Sequence, residues 1–227
     1  MGRPAYEPAQ EGMTGGLPAR PSAAAPLGDL RFARLLGAAA WAALPPATRA
    51  RFGRRVGLGE AVVYRGVTLT NETTRRGRLL AHAARLLGAP LPLPDVTPGG
   101  AAVVSVTEAP GGQGWTRCYA RPNGFPQVVR SAKAFAGPTG IEEVVGLVGM
   151  ALRVRTAGQA LIFEHDHYFL RAFGVTLRLP RWLGPGLAVA HEEAGAGGGA
   201  FLFTLTLGRP ARPLLRQTAL FRDEVTT

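Results

Sequence analysis

The sequence predicts an α+β fold in which two or three N-terminal helices cover an antiparallel β-sheet, a barrel-like meander of about nine strands. Helical apolar stripes and the proline that ends the first helix lie in the first part of the chain, about residues 29–88. From residue 101 to about 224, strand-length runs alternate with turn residues, which is typical of a meander closing into a sandwich or barrel. The 227 residues, 46% of them hydrophobic, suffice for a buried core.

Residues 1–27 differ in composition from the rest of the chain. They are rich in Pro, Gly and Ala and show no hydrophobic periodicity, so they cannot bury enough surface to offset the entropy of ordering. We therefore expect a disordered tail followed by a single α+β domain over residues 28–227.

The N-terminal helices are predicted from caps, apolar stripes and prolines. Asp29 is suited to cap the first helix, because its carboxylate can accept a backbone hydrogen bond there. Pro46 ends the extended apolar surface of that helix and suits the first turn of a second, shorter one. A third helix is expected over residues 77–87, with Gly88 as its stop. The stripe of the first helix consists of Phe32, Leu35, Leu36, Ala39 and Ala40.

The β-rich part is predicted from runs of strand length. An early strand or hairpin is expected near residues 62–70, with Arg65 and Gly66 at its centre. Beyond residue 101 the runs are separated by turns such as PGGQG, PNG and TAGQ. Exposed edges must be covered or closed, and Trp182 is expected to plug one end of the sheet system. The runs span residues 102–108, 115–121, 127–135, 148–155, 160–170, 175–179, 187–193, 200–207 and 214–222.

The stretch from residue 124 to 154 has the densest turn chemistry. The sequence GPTG at residues 137–140 ends the strand at 127–135. Thr139 and Glu142 have the spacing of a capping box, which favours a short helix from Ile141 before a strand from Val148. The β-branched residues of this segment favour a strand instead. Glu142 and Glu143 are adjacent, so they should diverge rather than form an acid and base pair.

Polar residues on one face of the 127–135 strand are candidates for ligand binding. Gln127, Ser131 and Lys133 share one strand face with Val129 and Phe135, so they can fix the polar end of a ligand inside a β-sheet cavity. Ser131 and Lys133 also have the spacing of a serine–lysine dyad. The alternative is a lysine at a strand end whose stem covers apolar surface.

Aromatic and arginine residues alternate on the strand at 115–121. Trp115 and Tyr119 share a face with Arg117 and Arg121. Such neighbours commonly stack across strands without any ligand. Trp115 and Tyr119 are nevertheless included with the ligand-binding candidates.

Histidines raise the question of a metal site. His165 and His167 alternate along one predicted strand, so their imidazoles would share a face and could both bind zinc or iron. His191, or Glu193 on its own strand, would have to complete the site. The alternative is a cluster of solvated polar residues at a strand end, because two-residue motifs match often by accident.

The charge of the chain does not indicate a nucleic-acid partner. The formal net charge is +11, but Lys133 is the single lysine and the arginines are spread along the sequence, whereas nucleic-acid sites are clustered. Cys118 is the single cysteine, which excludes an internal disulfide. No signal peptide or apolar run of membrane-span length is visible, so we expect a soluble, cytoplasmic protein without a transmembrane segment.

No known catalytic signature is present. The sequence has no phosphate-binding loop in a strand–helix context, no GxSxG and no HExxH. It therefore assigns neither a reaction nor a cofactor, and enzymatic activity stays open at this point.

Several motifs are spread along the chain: LLG at 35–37 with Trp41, RLLG at 85–88 with PLPLP at 90–94, Trp115, Arg117 and Tyr119, GFPQVV at 124–129 with Ser131 and Lys133, GPTG at 137–140, LRLP at 177–180 with Trp182, and FRD at 221–223. Together they resemble a bacterial family of uncharacterised domains, domain of unknown function 4166, found in high-GC species. The resemblance spans about residues 32–223. It implies no catalytic residue, but it implies a reductase-like partner, because the domain is sometimes attached to a reductase domain similar to saccharopine dehydrogenase.

Three hypotheses about function follow. The leading one is a non-catalytic module that binds a small apolar or amphipathic, hydrophobic ligand in a β-sheet cavity. The second is a metal- or lysine-dependent enzyme. The third is an accessory domain that docks onto a reductase-like partner through an apolar surface.

Overall fold

The computed structural model describes residues 28–86, 88, 91–195 and 199–223. The expected disordered tail at residues 1–27 lies outside these ranges. The fold is a closed antiparallel barrel of ten strands with short helices before it, so the predicted fold class is confirmed. The strands are β1 (Ala61–Thr73), β2 (Ala101–Ala109), β3 (Gly112–Tyr119), β4 (Gln127–Ala134), β5 (Glu142–Val145), β6 (Val148–Ala157), β7 (Ala160–Ala172), β8 (Val175–Arg178), β9 (Leu187–Glu193), β10 (Ala200–Arg209) and β11 (Arg212–Asp223).

The ring of the barrel closes through pairings that are not adjacent in sequence order. Strands β1 to β7 follow one another around the ring, then β9, β10 and β11, and β11 returns to β1. Strand β8 lies outside the ring as the hairpin partner of β7. Closure pairs both edges of the sheet, so the ring strands present no open edge for association.

Strand β1 departs from its sequence prediction. It was expected as a shorter strand or a hairpin within the helical part, but it is a single strand of 13 residues. Gly66 lies at its centre, and a Cβ at this position would collide with the Leu220 carbonyl oxygen on β11. The glycine therefore allows close approach of the two strands rather than a turn.

The short helix expected after Ile141 is wrong, because this segment forms β5. Glu142 pairs with Ala151 of β6, and Gly146 makes the β5–β6 turn with φ of 60°. The capping box does not form, since the Thr139 hydroxyl donates to the Ile141 carbonyl instead. Valines at 144 and 145 suit a strand with a neighbour on each side.

The N-terminal helices are α1 (Arg31–Leu36), α2 (Ala38–Ala43), α3 (Pro46–Phe52) and α4 (Arg75–Leu86). The predicted first helix is divided at Gly37, whose φ of 80° is left-handed. The N-cap of α1 is Leu30 rather than the predicted Asp29, although the Asp29 carboxylate accepts a hydrogen bond from the Arg31 backbone at 2.9 Å. Pro46 occupies the first turn of α3, as predicted.

The helices lie at opposite ends of the barrel. From α1 and α3, Phe32 and Phe52 enter the interior, where Phe32 packs edge-on against Phe52, Phe135 and Phe163 with ring centroids 4.9–5.8 Å apart. We call this the packed end. Helix α4 lies over the other end, near the start of β11. We call that the cavity end, because the interior there is open.

Within the described ranges, no helix is long and apolar enough to cross a membrane.

Candidate functional site

The interior at the cavity end contains a cavity of about 240 Å³. Since one water needs about 10–15 Å³ of such space, a ligand of roughly 16–24 non-hydrogen atoms fits. Its walls are mostly apolar and come from the inward faces of the barrel strands, from α4 and from residues 91–92 and 179–185. Typical wall residues are Leu80, Ala84, Val189, Leu205 and Leu207.

The floor of the cavity is charged. Arg117 on β3 and Glu143 on β5 both line the cavity. Arg117 Nη2 donates to Ser131 Oγ at 2.7 Å and to Glu143 Oε1 at 2.8 Å. Lys133 Nζ lies 2.8 Å from Glu143 Oε2. We call these four residues the floor cluster, and all of them are buried.

Strand register explains why the floor cluster points inward. Lys133 on β4 is paired with Glu143 on β5, so the two side chains share one face of the sheet. The neighbouring Glu142 points to the other face, where its carboxylate binds Arg171 at 3.0 Å. The expectation that the two glutamates diverge is therefore confirmed.

Burial and neighbouring charges shift the pKa values of the floor cluster. Desolvation by burial lowers the pKa of Lys133, and the charge of Arg117 lowers it further, while Glu143 opposes both. Burial alone would raise the pKa of Glu143. The charges of Lys133 and Arg117, with hydrogen bonds from Lys133 and Ser131, outweigh burial and lower this pKa to about 2. Glu143 is therefore ionised at neutral pH.

A family model described as "Domain of unknown function (DUF4166)" matches residues 44–219, which include the floor cluster and most of the barrel. The chain belongs to the DUF4166 family. The predicted resemblance is thus confirmed. The comparison with curated proteins and the comparison with solved structures each gave no match.

The five predicted ligand residues take different places in this DUF4166 barrel. Tyr119 lines the cavity. Ser131 and Lys133 bind the floor residues Arg117 and Glu143. Lys133 also lies 4.6 Å from the centroid of the Trp115 ring, which is nearer the packed end. The fifth, Gln127, uses both ends of its amide to hold the backbone of residues 91–93, at 2.8 and 2.9 Å.

Two residues of the floor were not among the candidates. The sequence predicts Arg117 only as a stacking neighbour of Trp115 and Tyr119, although residues 115, 117 and 119 share one strand face and therefore all point inward together. Glu143 is compared only with Glu142 in the sequence analysis. The available signal is strand alternation, because adjacent strand residues point to opposite faces and one of the two glutamates must therefore point inward.

The expectation that His165 and His167 share a face is wrong. The register shifts opposite Ala151 and Leu152, so that Asp166 is an extra residue in β7 and the two histidines fall on opposite faces. His165 Nδ1 accepts from the Leu187 backbone at 3.1 Å, while His167 Nδ1 lies 2.8 Å from Asp166 Oδ2. Among the described residues, no group of three His, Cys, Asp or Glu side chains is arranged to hold a metal ion.

His191 lies in the DUF4166 barrel interior among aromatic rings. It is fully buried and stacks on Phe201 at 5.8 Å, with Phe52 and Phe203 edge-on at 5.1 and 5.5 Å. Burial lowers its pKa well below the ordinary value, and nearby cations, first among them Arg51, add to this effect. His191 is therefore a neutral residue of the packed interior.

Proposed function

We propose that this DUF4166 domain binds a small apolar or amphipathic ligand inside its barrel and is not itself a catalyst. The observation that carries this proposal is the 240 Å³ cavity with apolar walls above the floor cluster. Apolar walls with a few convergent polar groups are the usual composition of a small-molecule site.

The packing of the rest of the barrel supports the same proposal. Protein interiors are close-packed, and voids larger than a water molecule are few. The packed end follows this rule, with Phe32, Phe52 and Leu161 almost wholly buried. An interior that is close-packed at one end and open at the other is typical of a barrel whose open end receives a ligand.

The cover of the cavity is held by specific contacts. The Tyr168 hydroxyl donates to the Pro185 carbonyl at 3.0 Å, and the Leu179 backbone donates to the Tyr168 carbonyl at 2.8 Å. These bonds position residues 179–185 beside the cavity, which α4 also lines. A ligand would enter between α4 and residues 179–185, neither of which is part of the barrel ring.

Native mass spectrometry of the freshly purified protein tests the proposal directly. We expect a ligand mass that disappears under denaturing conditions. In parallel, titration with the neutral dye Nile red should give saturable fluorescence enhancement. A bare-chain mass together with no saturable Nile red binding would contradict the proposal.

A matched pair of variants locates the binding inside the barrel. Val189 lines the cavity, whereas the next residue, Ala190, points to the outer face of β9. Val189→Phe should fill part of the cavity and weaken Nile red binding at least about tenfold, roughly 1.4 kcal/mol. Ala190→Phe should leave it unchanged. Equal binding by both variants would place the dye elsewhere.

A second candidate function, docking onto a protein partner, is favoured by an apolar surface on the β7–β8 hairpin and the turn after it. Phe173, Val175 and Leu177 are exposed there. Trp182, which was expected to plug the barrel, is 81% exposed, so that expectation is wrong. Exposed contiguous apolar side chains mark interaction sites, and we propose that they receive a reductase-like domain.

Size-exclusion chromatography with a reductase domain from a fused family member tests the docking proposal. Phe173→Ser combined with Trp182→Ser should abolish co-elution. Leu58→Ser is the matched control, because Leu58 is 90% exposed and lies near the packed end. Co-elution that survives the double substitution would remove this surface from consideration.

A further inference from the structure

We infer that the ligand of this cavity carries a carboxylate, and that this carboxylate binds to Arg117 at the floor. The inference rests on the proposed ligand-binding function and specifies its ligand class. The ligand is then an amphipathic carboxylic acid whose apolar body lies against the walls.

The hydrogen bonds of the floor cluster are unbalanced. Both carboxylate oxygens of Glu143 already accept from cations, Oε1 from Arg117 and Oε2 from Lys133, each at 2.8 Å. Arg117 Nε, in contrast, is buried without a hydrogen-bond partner in the described part of the chain. A buried donor without an acceptor is costly. The Arg117 guanidinium therefore has more N–H groups than the floor has acceptors, and because Arg117 lines the cavity, a ligand oxygen there would supply a further acceptor to this guanidinium.

The charges of the floor cluster are unbalanced in the same direction. Two cationic side chains, Arg117 and Lys133, share the single carboxylate of Glu143. Two cations around one carboxylate leave positive charge in a site with apolar walls, where charge is poorly solvated. An anion at Arg117 would offset it, and would also oppose the effects that lower the pKa of Lys133.

Tyr119 is placed to donate the second hydrogen bond. It lies two residues beyond Arg117 on the same face of β3 and lines the same cavity. Burial raises the pKa of its hydroxyl, which therefore stays protonated. An arginine and a phenol on one strand face can together receive the two oxygens of a carboxylate.

Other head groups fit the floor less well. An amine would meet two cations and would need an acceptor that Glu143 already commits elsewhere. An alcohol can accept from Arg117 but brings no negative charge. The carboxylate is thus the head group that satisfies both the hydrogen-bond and the charge requirement.

A head-group series on the unmodified protein tests this inference. Dodecanoate, dodecanol and dodecylamine share one apolar chain, and each is titrated against bound Nile red at about pH 8, where a carboxylic acid is ionised. We expect dodecanoate to bind at least about tenfold more tightly than dodecanol, because charge-assisted hydrogen bonds are about twice as strong as neutral ones. Dodecylamine should bind more weakly than dodecanol.

Substitution then assigns the preference to Arg117. In Arg117→Gln the ratio between dodecanoate and dodecanol should fall close to one, with folding checked by thermal unfolding. Arg130→Gln is the matched control, because Arg130 lies on the exposed face of the adjacent strand β4, and it should keep the full ratio. Loss of the preference in both variants would contradict a role for Arg117.

The outcomes separate this inference from the function on which it rests. Dodecanol binding as tightly as dodecanoate, or dodecylamine binding more tightly, would overturn the carboxylate and leave the ligand-binding function intact. Absence of binding by all three compounds and by Nile red would instead contradict the ligand-binding function itself.

Discussion

The two ends of this barrel both have apolar interiors, but they differ in how closely those interiors are packed. At the packed end, aromatic side chains from α1 and α3 fill the interior and leave little space. At the cavity end, leucines and valines of the same strands border a cavity beneath α4. One ring of strands thus supports a close-packed core and a ligand-sized space, and the difference comes from which helix covers each end.

Each end also buries charge, but in a different way. At the packed end the Arg51 guanidinium lies 2.9 Å from Glu193 and 3.7 Å above the Phe201 ring. Its N–H groups do not point at the Glu193 oxygen, so this contact is an ion pair without a hydrogen bond. At the cavity end, Glu143 forms hydrogen bonds with a cation on each side. Loss of one member should therefore disturb the floor cluster more than it disturbs the Arg51–Glu193 ion pair.

The largest expected difference between the ends concerns these carboxylates. Glu143→Gln leaves two buried cations without their shared partner, and should lower the free energy of unfolding by about 3–5 kcal/mol. Glu193→Gln should cost less, about 2 kcal/mol, because Arg51 keeps the Phe201 ring and Asp223 at 3.8 Å. Urea unfolding followed by tryptophan fluorescence measures both. A larger loss for Glu193→Gln would reverse the comparison.

A smaller difference is expected from a pair of leucines. Leu161 is fully buried near His191, while Leu205 borders the cavity. Leu161→Ala should cost about 3 kcal/mol, within the range for a filled core. Leu205→Ala should cost about 1 kcal/mol less, since one side of its side chain already lacks partner atoms. Equal losses in urea unfolding would mean that the two ends are packed alike.

A further expected difference is a pH dependence confined to the packed end. The pKa of His191 is lowered in the folded state, so the unfolded chain binds a proton first as the pH falls through about 6.5. The contribution of neutral His191 to stability is fully present well above this value, and the free energy of unfolding should decrease by about 2 kcal/mol between pH 7 and 5.

His191→Leu should remove this slope. Glu143 also has a lowered pKa, but its stabilisation is lost only at more acidic pH, between about 4.5 and 2. Stability curves of the unmodified protein and the variant that run parallel from pH 7 to 5 would exclude His191 as the source.

Local periodicity predicted much of the fold and part of the site. Alternation placed Ser131 and Lys133 on one face, because side-chain direction in a strand depends only on sequence position. It also located ten of the eleven strands in the described ranges, with β1 predicted as a shorter strand or a hairpin. The four-residue strand β5 was missed, since a run that short carries both a helical and a strand pattern.

The remaining features depend on contacts between distant parts of the chain. Arg117 and Glu143 are 26 residues apart and meet because β3, β4 and β5 are neighbours in a particular register. A single extra residue, Asp166, turns His167 away from His165, and no composition signal marks it. Pairing and register are decided by the assembled sheet, so the sequence alone could not predict them.

The pairing of β1 with β11 has a consequence for folding. Strand β1 begins at Ala61 and β11 ends at Asp223, so the ring can close only after nearly all of the barrel has been synthesised. Until then β1 and β10 both present open edges along apolar strands. Contacts between such distant segments form slowly. The newly made chain is therefore exposed to aggregation until its last strand is available.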